Sequence, residues 1–221
     1  FYACLKPLKR RIALTLQLAP IEFGISLQTC LYPLLNNRHI LRFRIGIGKM
    51  NKLKKWAVID IETTGIDPAY DQIIDLGFLQ FEGTKLVRSY SSLVRTEQPV
   101  SKFIQKLTGI NESQLKAAPP WKTVEHELQT LKEHELIAHN ALFEEKFLKK
   151  YLDAIESDEE DRFHDSMLFL ALLFPEKNSL NLEGFLIELG IKDKEDHRGL
   201  EDSKDLLKAM LTACWLVHQD Q

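Results

Sequence analysis

Cysteine is scarce in this chain and badly placed for chemistry. Cys4, Cys30 and Cys214 are the three in 221 residues, and they form no metal-ligand spacing. This argues against a disulfide scaffold and for a reduced, cytoplasmic protein. A long uninterrupted apolar run is missing too. Residues 12–35 are fairly apolar after Lys9-Arg10-Arg11, but Gln17, Pro20, Glu22, Gln28 and Pro33 break the run. The roughly 20 continuous apolar residues of a membrane-spanning helix are therefore absent. No small-residue cleavage site marks a secretory leader. Gly46-Ile47-Gly48-Lys49 lacks the glycine spacing and the Ser or Thr of a phosphate loop. No internal repeat or low-complexity tract is present.

A broad basic surface is lacking in the body of the chain. The net charge is −3, but residues 1–50 carry eight Lys or Arg against Glu22 alone, and the rest carries 21 basic against 31 acidic residues. If the body binds nucleic acid, it does so through a local site and metal ions rather than a basic face. Met50 stands just before Asn51-Lys52-Leu53-Lys54-Lys55, and regular patterning starts at Trp56. Residues 1–49 are thus expected to be an N-terminal extension outside the functional fold, and 50–221 the working domain.

From Trp56 the pattern predicts a buried strand over 56–61, a turn at 65–68, and strands over 73–81 and 86–93 joined by Glu82-Gly83-Thr84. Helices follow over 101–107, 111–116 and 121–132, then a short strand at 136–138. An amphipathic helix over 142–152 places Phe143, Phe147, Leu148, Tyr151 and Leu152 on one side. Acidic residues 156–161 read as a solvated loop. Further helices span 166–173, 180–189 and 199–217, the last with a stripe of Leu206, Leu207, Met210, Cys214 and Val217. His126 and His134 read as surface residues, and Asp165 as a helix N-cap. The order suggests one mixed-sheet α/β domain.

Three short strings carry the chemistry. In Trp56-Ala57-Val58-Ile59-Asp60-Ile61-Glu62-Thr63-Thr64-Gly65, alternation puts Asp60 and Glu62 on one face of a strand. Two such carboxylates repel unless a cation lies between them, and a hard divalent ion with oxygen ligands is the usual answer. The second string, His139-Asn140-Ala141-Leu142-Phe143-Glu144-Glu145, runs from a strand end into a helix and aims Glu144 at the strand ends. In the third, His197-Arg198-Gly199-Leu200-Glu201-Asp202, a loop histidine and an acid in the first turns of the last helix can converge on one centre, although either alone also reads as an exposed loop histidine or an ordinary helix-start acid. These acids read as clustered for metal rather than for packing.

Together the three strings resemble the exonuclease motifs of the DEDDh (DnaQ-like) 3′–5′ exonucleases, over residues 56–217. Leu107-Thr108-Gly109-Ile110 and the segment from Leu182 to Gly190-Ile191 agree with it. The resemblance implies a ribonuclease-H-like three-layer α/β fold, a five-stranded mixed sheet with helices on both sides. It departs at one position: where the family has Asp after H-N-A-x-F, this chain has Glu144. The carboxylate then projects about 1.3–1.5 Å further. Glu145 points about 100° away on a helix and is a poor substitute.

The resemblance further implies hydrolysis of the terminal phosphodiester at a 3′ end, releasing nucleoside 5′-monophosphates. Two Mg²⁺ or Mn²⁺ ions would flank the phosphate about 3.5–4 Å apart. Asp60 would bridge both, Glu62 and Asp202 would hold the ion on the water side, and Glu144 would complete the set. His197 would be the general base. Thr63, Thr64 and Gly65 would support the terminal nucleotide, Gly65 by a turn conformation closed to other residues. His139, Asn140 and Phe143 are the remaining candidate substrate contacts. The expected ligands are single-stranded or frayed 3′ ends of DNA, in a proofreading- or repair-type role, with no membrane. The expectation is that no helicase or polymerase is fused to this domain and that one is a possible partner in trans. An exoribonuclease, or an end-binding domain weakened by Glu144, is the alternative.

Overall fold

The computed structural model of the chain describes residues 55–152, 162–174 and 180–219. The expected extension 1–49, the acidic stretch 156–161 and the Val217 side chain lie outside the described residues. In chain order come β1 (Lys55–Thr63), β2 (Ile73–Glu82), β3 (Lys85–Leu93), α1 (Lys102–Thr108), α2 (Glu112–Ala117), α3 (Trp121–Leu128), β4 (Glu135–Ala138), α4 (Ala141–Leu152), β5 (Phe163–Asp165), α5 (Ser166–Leu173), α6 (Leu182–Glu188) and α7 (Gly199–Gln219). The strands form one sheet in the order β3-β2-β1-β4-β5. β1–β2 and β2–β3 are antiparallel, while β1–β4 and β4–β5 are parallel.

Strand alternation builds two apolar layers. Trp56, Val58, Leu79, Phe81 and Ile137 face α5, α6 and α7. Ala57, Ile59, Ile61, Leu76 and Phe78 face α3 and α4. Continuing the first set along β1 puts Asp60 and Glu62 on the α7 face, at the C-terminal end of the strand. The three-layer expectation therefore holds, with helices on both faces.

Caps fix the helix starts. Ser101 caps α1, Asn111 and Gln114 close a capping box on α2, Asn181 caps α6, and Asp165 caps α5 as expected. The helix expected over 121–132 ends at Leu128 and tightens into a 3₁₀ turn, Gln129–Leu131. β5 is the one strand the pattern did not show, since three residues carry too little alternation.

His134 corrects the surface reading. It is 3% exposed, packed where the 3₁₀ turn enters β4, with Nε2 3.2 Å from Gln80 Nε2. It lies at the N-terminal end of β4, the opposite end of the sheet from Asp60. Among the described residues no helix is long and apolar enough to cross a membrane.

Candidate active site

The acidic end of β1 is shaped by glycines. Asp60 pairs with Gly77 and Glu62 with Asp75 across β1–β2, so all four lie on the α7 face. A Cβ on Gly77 would sit 1.9 Å from the Leu200 amide nitrogen. A Cβ on Gly199 would sit 2.6 Å from Gly77 N and 2.8 Å from the Asp60 carbonyl oxygen. The start of α7 therefore rests directly on the sheet backbone. Ser203 Oγ pins it, lying 2.7 Å from Gly199 O and 3.3 Å from Gly77 O. This contact brings the third string onto the first.

Glu62, His197 and Asp202 each offer a ligand atom, and these atoms lie within 4.8 Å of one another. Asp60 stands beside them. Burial raises its pKa well above the usual carboxylate range, and Glu144, Glu62 and Asp202 add repulsion. Burial, then Asp202 and Asp75, push Glu62 up to about 8. Glu144, in the first turn of α4, is 3% exposed, and its Oε2 has no hydrogen-bond partner. Its pKa is also raised, by burial first. Glu145 turns away to Lys149, at 3.1 Å.

Asp202 differs from these acids. Its carboxylate accepts the Arg198 amide at 2.7 Å and the Asp196 amide at 3.3 Å. Burial raises its pKa to about 6, against the pull of those two amides. His197 sits at φ 52, a left-handed conformation uncommon outside glycine. Burial lowers its pKa, which favours the neutral imidazole. Asn140, at φ 68, is the other non-glycine residue in that region among the described residues.

The donor set fits a hard divalent cation. It offers carboxylate oxygens and one imidazole, and no hydrogen bond to the Asp60 or Glu62 carboxylates forms among the described residues. The buried, unpartnered Glu144 Oε2 is a second sign of an unmet charge.

The turn after β1 is latched to its surroundings. Thr64 N donates to Gln72 O at 2.9 Å, and Thr64 Oγ1 accepts Gln72 N at 3.0 Å. The same hydroxyl lies 3.0 Å from Asp71 Oδ1 and from Gln98 Oε1. Thr63 is buried, and its hydroxyl donates to Gly65 O. Gly65 corrects the expectation of a left-handed turn. The positive-φ glycines among the described residues are Gly83, Gly109 and Gly190. A Cβ at Gly65 would meet the Asp71 carboxylate at 2.5–2.6 Å, so a larger residue there would push that side chain off Thr64 Oγ1 and the Asp67 amide.

The second string is largely tied inward. His139 Nδ1 lies 3.0 Å from Ser166 Oγ and Nε2 2.7 Å from Leu180 O. Phe143 packs on the α3–α4 core, 5.1 Å from the Phe147 ring. Asn140 has an exposed side chain and donates its amide to Asp165 Oδ1 at 3.1 Å.

Sequence reasoning missed Asp75, Gly77 and Glu195. A charged residue and a glycine inside the apolar run Ile73-Ile74-Asp75-Leu76-Gly77-Phe78 were the available signal, since a strand glycine marks close backbone approach. Glu195 stands near the acids, its pKa raised to about 7 by burial and then by Asp202. It lies in an irregular loop and offered no pattern.

With the geometry in place, known proteins give the lineage. The sequence profile of the RNase T exonuclease family matches residues 57–210, most of the chain. The chain belongs to this exonuclease family. A PolC-type DNA polymerase III of Caldanaerobacter subterraneus is 32% identical over 151 residues, 68% of this chain and 11% of that protein. The 3′–5′ exonuclease DinG of Staphylococcus epidermidis is 31% identical over 160 residues, 72% of this chain and 18% of DinG. The exonuclease chain thus spans less than a fifth of these relatives.

Among solved structures, the nuclease domain of 3′hExo, a DEDDh family member bound to rAMP, aligns with TM-score 0.58 at 21% identity, over 76% of this chain and 94% of that one. E. coli Exonuclease I in complex with a dA16 oligonucleotide gives TM-score 0.60 at 15% identity, over 70% of this chain and 39% of that one. These likenesses establish the ribonuclease-H-like exonuclease fold.

Proposed function

We propose that this chain is a divalent-metal-dependent 3′–5′ exonuclease acting on DNA ends and releasing nucleoside 5′-monophosphates. The observation that carries the reading is the convergence of Glu62, His197 and Asp202 within 4.8 Å, beside the repelled Asp60 and the buried, unpartnered Glu144. Two Mg²⁺ or Mn²⁺ ions, held by Asp60, Glu62, Asp202 and Glu144, would supply charge stabilisation at the scissile phosphate and acidify the attacking water.

The chain's own residues do the rest. His197, kept neutral by burial, accepts the proton of the attacking water at a ring nitrogen. The latched turn Thr63-Thr64-Gly65 offers backbone groups to the terminal nucleotide, and its bonds to Gln72 and Gln98 keep it from yielding as the strand is seated. Asn140, exposed at the mouth of α4, contacts the nucleotide directly. His139 and Phe143 set the α4 start in place, with at most the ring edge of Phe143 reaching a base.

DNA is preferred in this reading because the PolC and DinG relatives carry DNA-polymerase and exonuclease names. The setting is proofreading or repair in the cytoplasm, with a polymerase or helicase supplied by a partner. Residues 50–221 are the exonuclease domain and 1–49 a dispensable extension. A protein starting at Met50 is expected to keep full activity; an insoluble or inactive one would return residues 1–49 to the fold.

The direct test uses 5′-labelled single strands of DNA and RNA with Mg²⁺ or Mn²⁺. A ladder shortening from the 3′ end with mononucleotide release is expected, faster on DNA. A faster RNA ladder would make the chain an exoribonuclease. Binding of 3′ ends without cleavage in either metal would make it an end-binding domain.

A further inference from the structure

We propose that Arg198 and Asp75 form a positioning clamp that holds His197 in its working geometry. The proposal rests on the reading of His197 as the proton acceptor.

The backbone supplies the first observation. His197, at φ 52, occupies a region that non-glycine residues adopt only where the surroundings over-determine it. Three contacts on the following two residues do so. The Arg198 amide donates to Asp202 Oδ2 at 2.7 Å. The Arg198 side chain reaches the other way, and its Nε donates to Asp75 Oδ2 at 2.7 Å. The Gly199 backbone rests against Gly77 N and the Asp60 carbonyl. Residue 197 is therefore held from its C-terminal side by both the sheet and α7.

Asp75 itself supplies the second observation. It is fully buried within an apolar strand, with Oδ1 lacking any partner. The backbone amides of Gly199 and Leu76 also favour the ionised Asp75 beside Arg198, but a buried ion pair adds little net stability over an apolar pair of the same size, so its placement here is read as registration. Asp75 is the cross-strand neighbour of Glu62 on the same face, and the arginine it holds is close enough for its charge to act on Glu62. The clamp therefore registers the His197 loop against the strand that carries the acids. Placement errors of about 1 Å at a reacting group cost roughly 10²-fold in rate.

The test is a double-mutant cycle on the full chain, read as kcat and KM separately. Arg198→Ala is expected to lower kcat by on the order of 10²-fold with KM nearly unchanged. Its imidazole ¹H–¹⁵N signals for His197 are expected to shift or broaden. In a His197→Ala background, adding Arg198→Ala is expected to leave the residual rate unchanged, because the clamp has nothing left to position. Asp75→Leu, which removes the acceptor at similar side-chain volume, is expected to repeat the kcat loss if Arg198→Ala folds poorly. A loss that appears in KM, or that recurs in full in the His197→Ala background, overturns the clamp in favour of a direct substrate or bulk structural role. Wild-type rates in Arg198→Ala beside an impaired His197→Ala sink the clamp alone. Wild-type rates in His197→Ala sink the reading of His197 and the clamp with it.

Discussion

The two halves of the site are built on opposite principles. At the end of β1, Asp60 and Glu62 repel each other and receive no hydrogen bond among the described residues. At the start of α7, Asp202 is held by two amides, Arg198 by Asp75, and Ser203 by the Gly77 and Gly199 carbonyls. The first half is held in tension that protonation or a bound cation relieves, with the Arg198 charge offsetting part of it at Glu62. The second is more fully hydrogen-bonded and brings Asp202 and His197 up to the first. The difference teaches that acids proposed for one chemical role need not share a structural one. The sequence presents Asp60 and Asp202 alike as metal acids, but Asp202 also ties down the loop that carries His197.

Substitution of the two acids separates these roles most sharply. Asp60→Asn and Asp202→Ala are each expected to lower hydrolysis by roughly 10³-fold or more, the loss of several kcal/mol of charge stabilisation. Metal-free thermal unfolding is expected to diverge. Asp60→Asn leaves the midpoint unchanged or raises it by relieving repulsion. Asp202→Ala lowers stability by about 1–3 kcal/mol, since it orphans the Asp196 and Arg198 amides. Equal midpoints in calorimetry would erase the distinction.

His197→Ala is expected to cut turnover by roughly 10²–10⁴-fold, the range of a general base. Burial lowers the pKa of His197, so the acidic limb of the wild-type pH–rate profile should fall below the usual 6.5 and flatten in the variant. An unaltered limb would assign it to another group.

Glu144 sharpens the comparison from the metal side. On the proposed ligand set its longer arm would reach the centre with looser geometry than Asp, and Mg²⁺ tolerates misplacement poorly. A high Mn²⁺-to-Mg²⁺ rate ratio is expected, and Glu144→Asp should raise the Mg²⁺-supported rate. A slower Glu144→Asp would mean the site has been rebuilt around glutamate.

The smallest effect is in pH dependence of stability without metal. Glu62 rises from 4.5 to about 8 and Asp202 from 3.8 to about 6 on folding. The folded state therefore binds more protons than the unfolded one, and stability declines as pH rises through that window. The midpoint is expected to drop between pH 5 and 8 and to recover with saturating Mn²⁺. A flat metal-free profile would remove the tension from the β1 end.

Much of this was legible in the chain. Alternation over 56–62 placed Asp60 and Glu62 on one face, and the caps at Ser101, Asn111, Asp165 and Asn181 set helix starts close to where the periodicity put them. What the chain hid was long-range. Asp75, Gly77 and Gly199 matter because α7 lands on β1 and β2, more than a hundred residues away in sequence for the first two, and no local pattern encodes that landing. Gly65 was misread for a related reason. Its role is room for the Asp71 carboxylate six residues on, whereas a local reading sees a turn glycine and infers a special dihedral. His134 looked like a surface histidine because burial at a strand entrance depends on what packs over it.

The central claim, that the repelled acids at the end of β1 seat the cations that drive hydrolysis, is tested most directly by Mn²⁺-dependent single-turnover cleavage of a labelled single-stranded DNA. Wild type and Asp60→Asn are titrated with Mn²⁺ side by side. Cleavage from the 3′ end that saturates with Mn²⁺ in the wild type, stops with a chelator and is absent from Asp60→Asn at every concentration is the expected result. Cleavage that survives the chelator, or that Asp60→Asn performs at the wild-type rate, would contradict it.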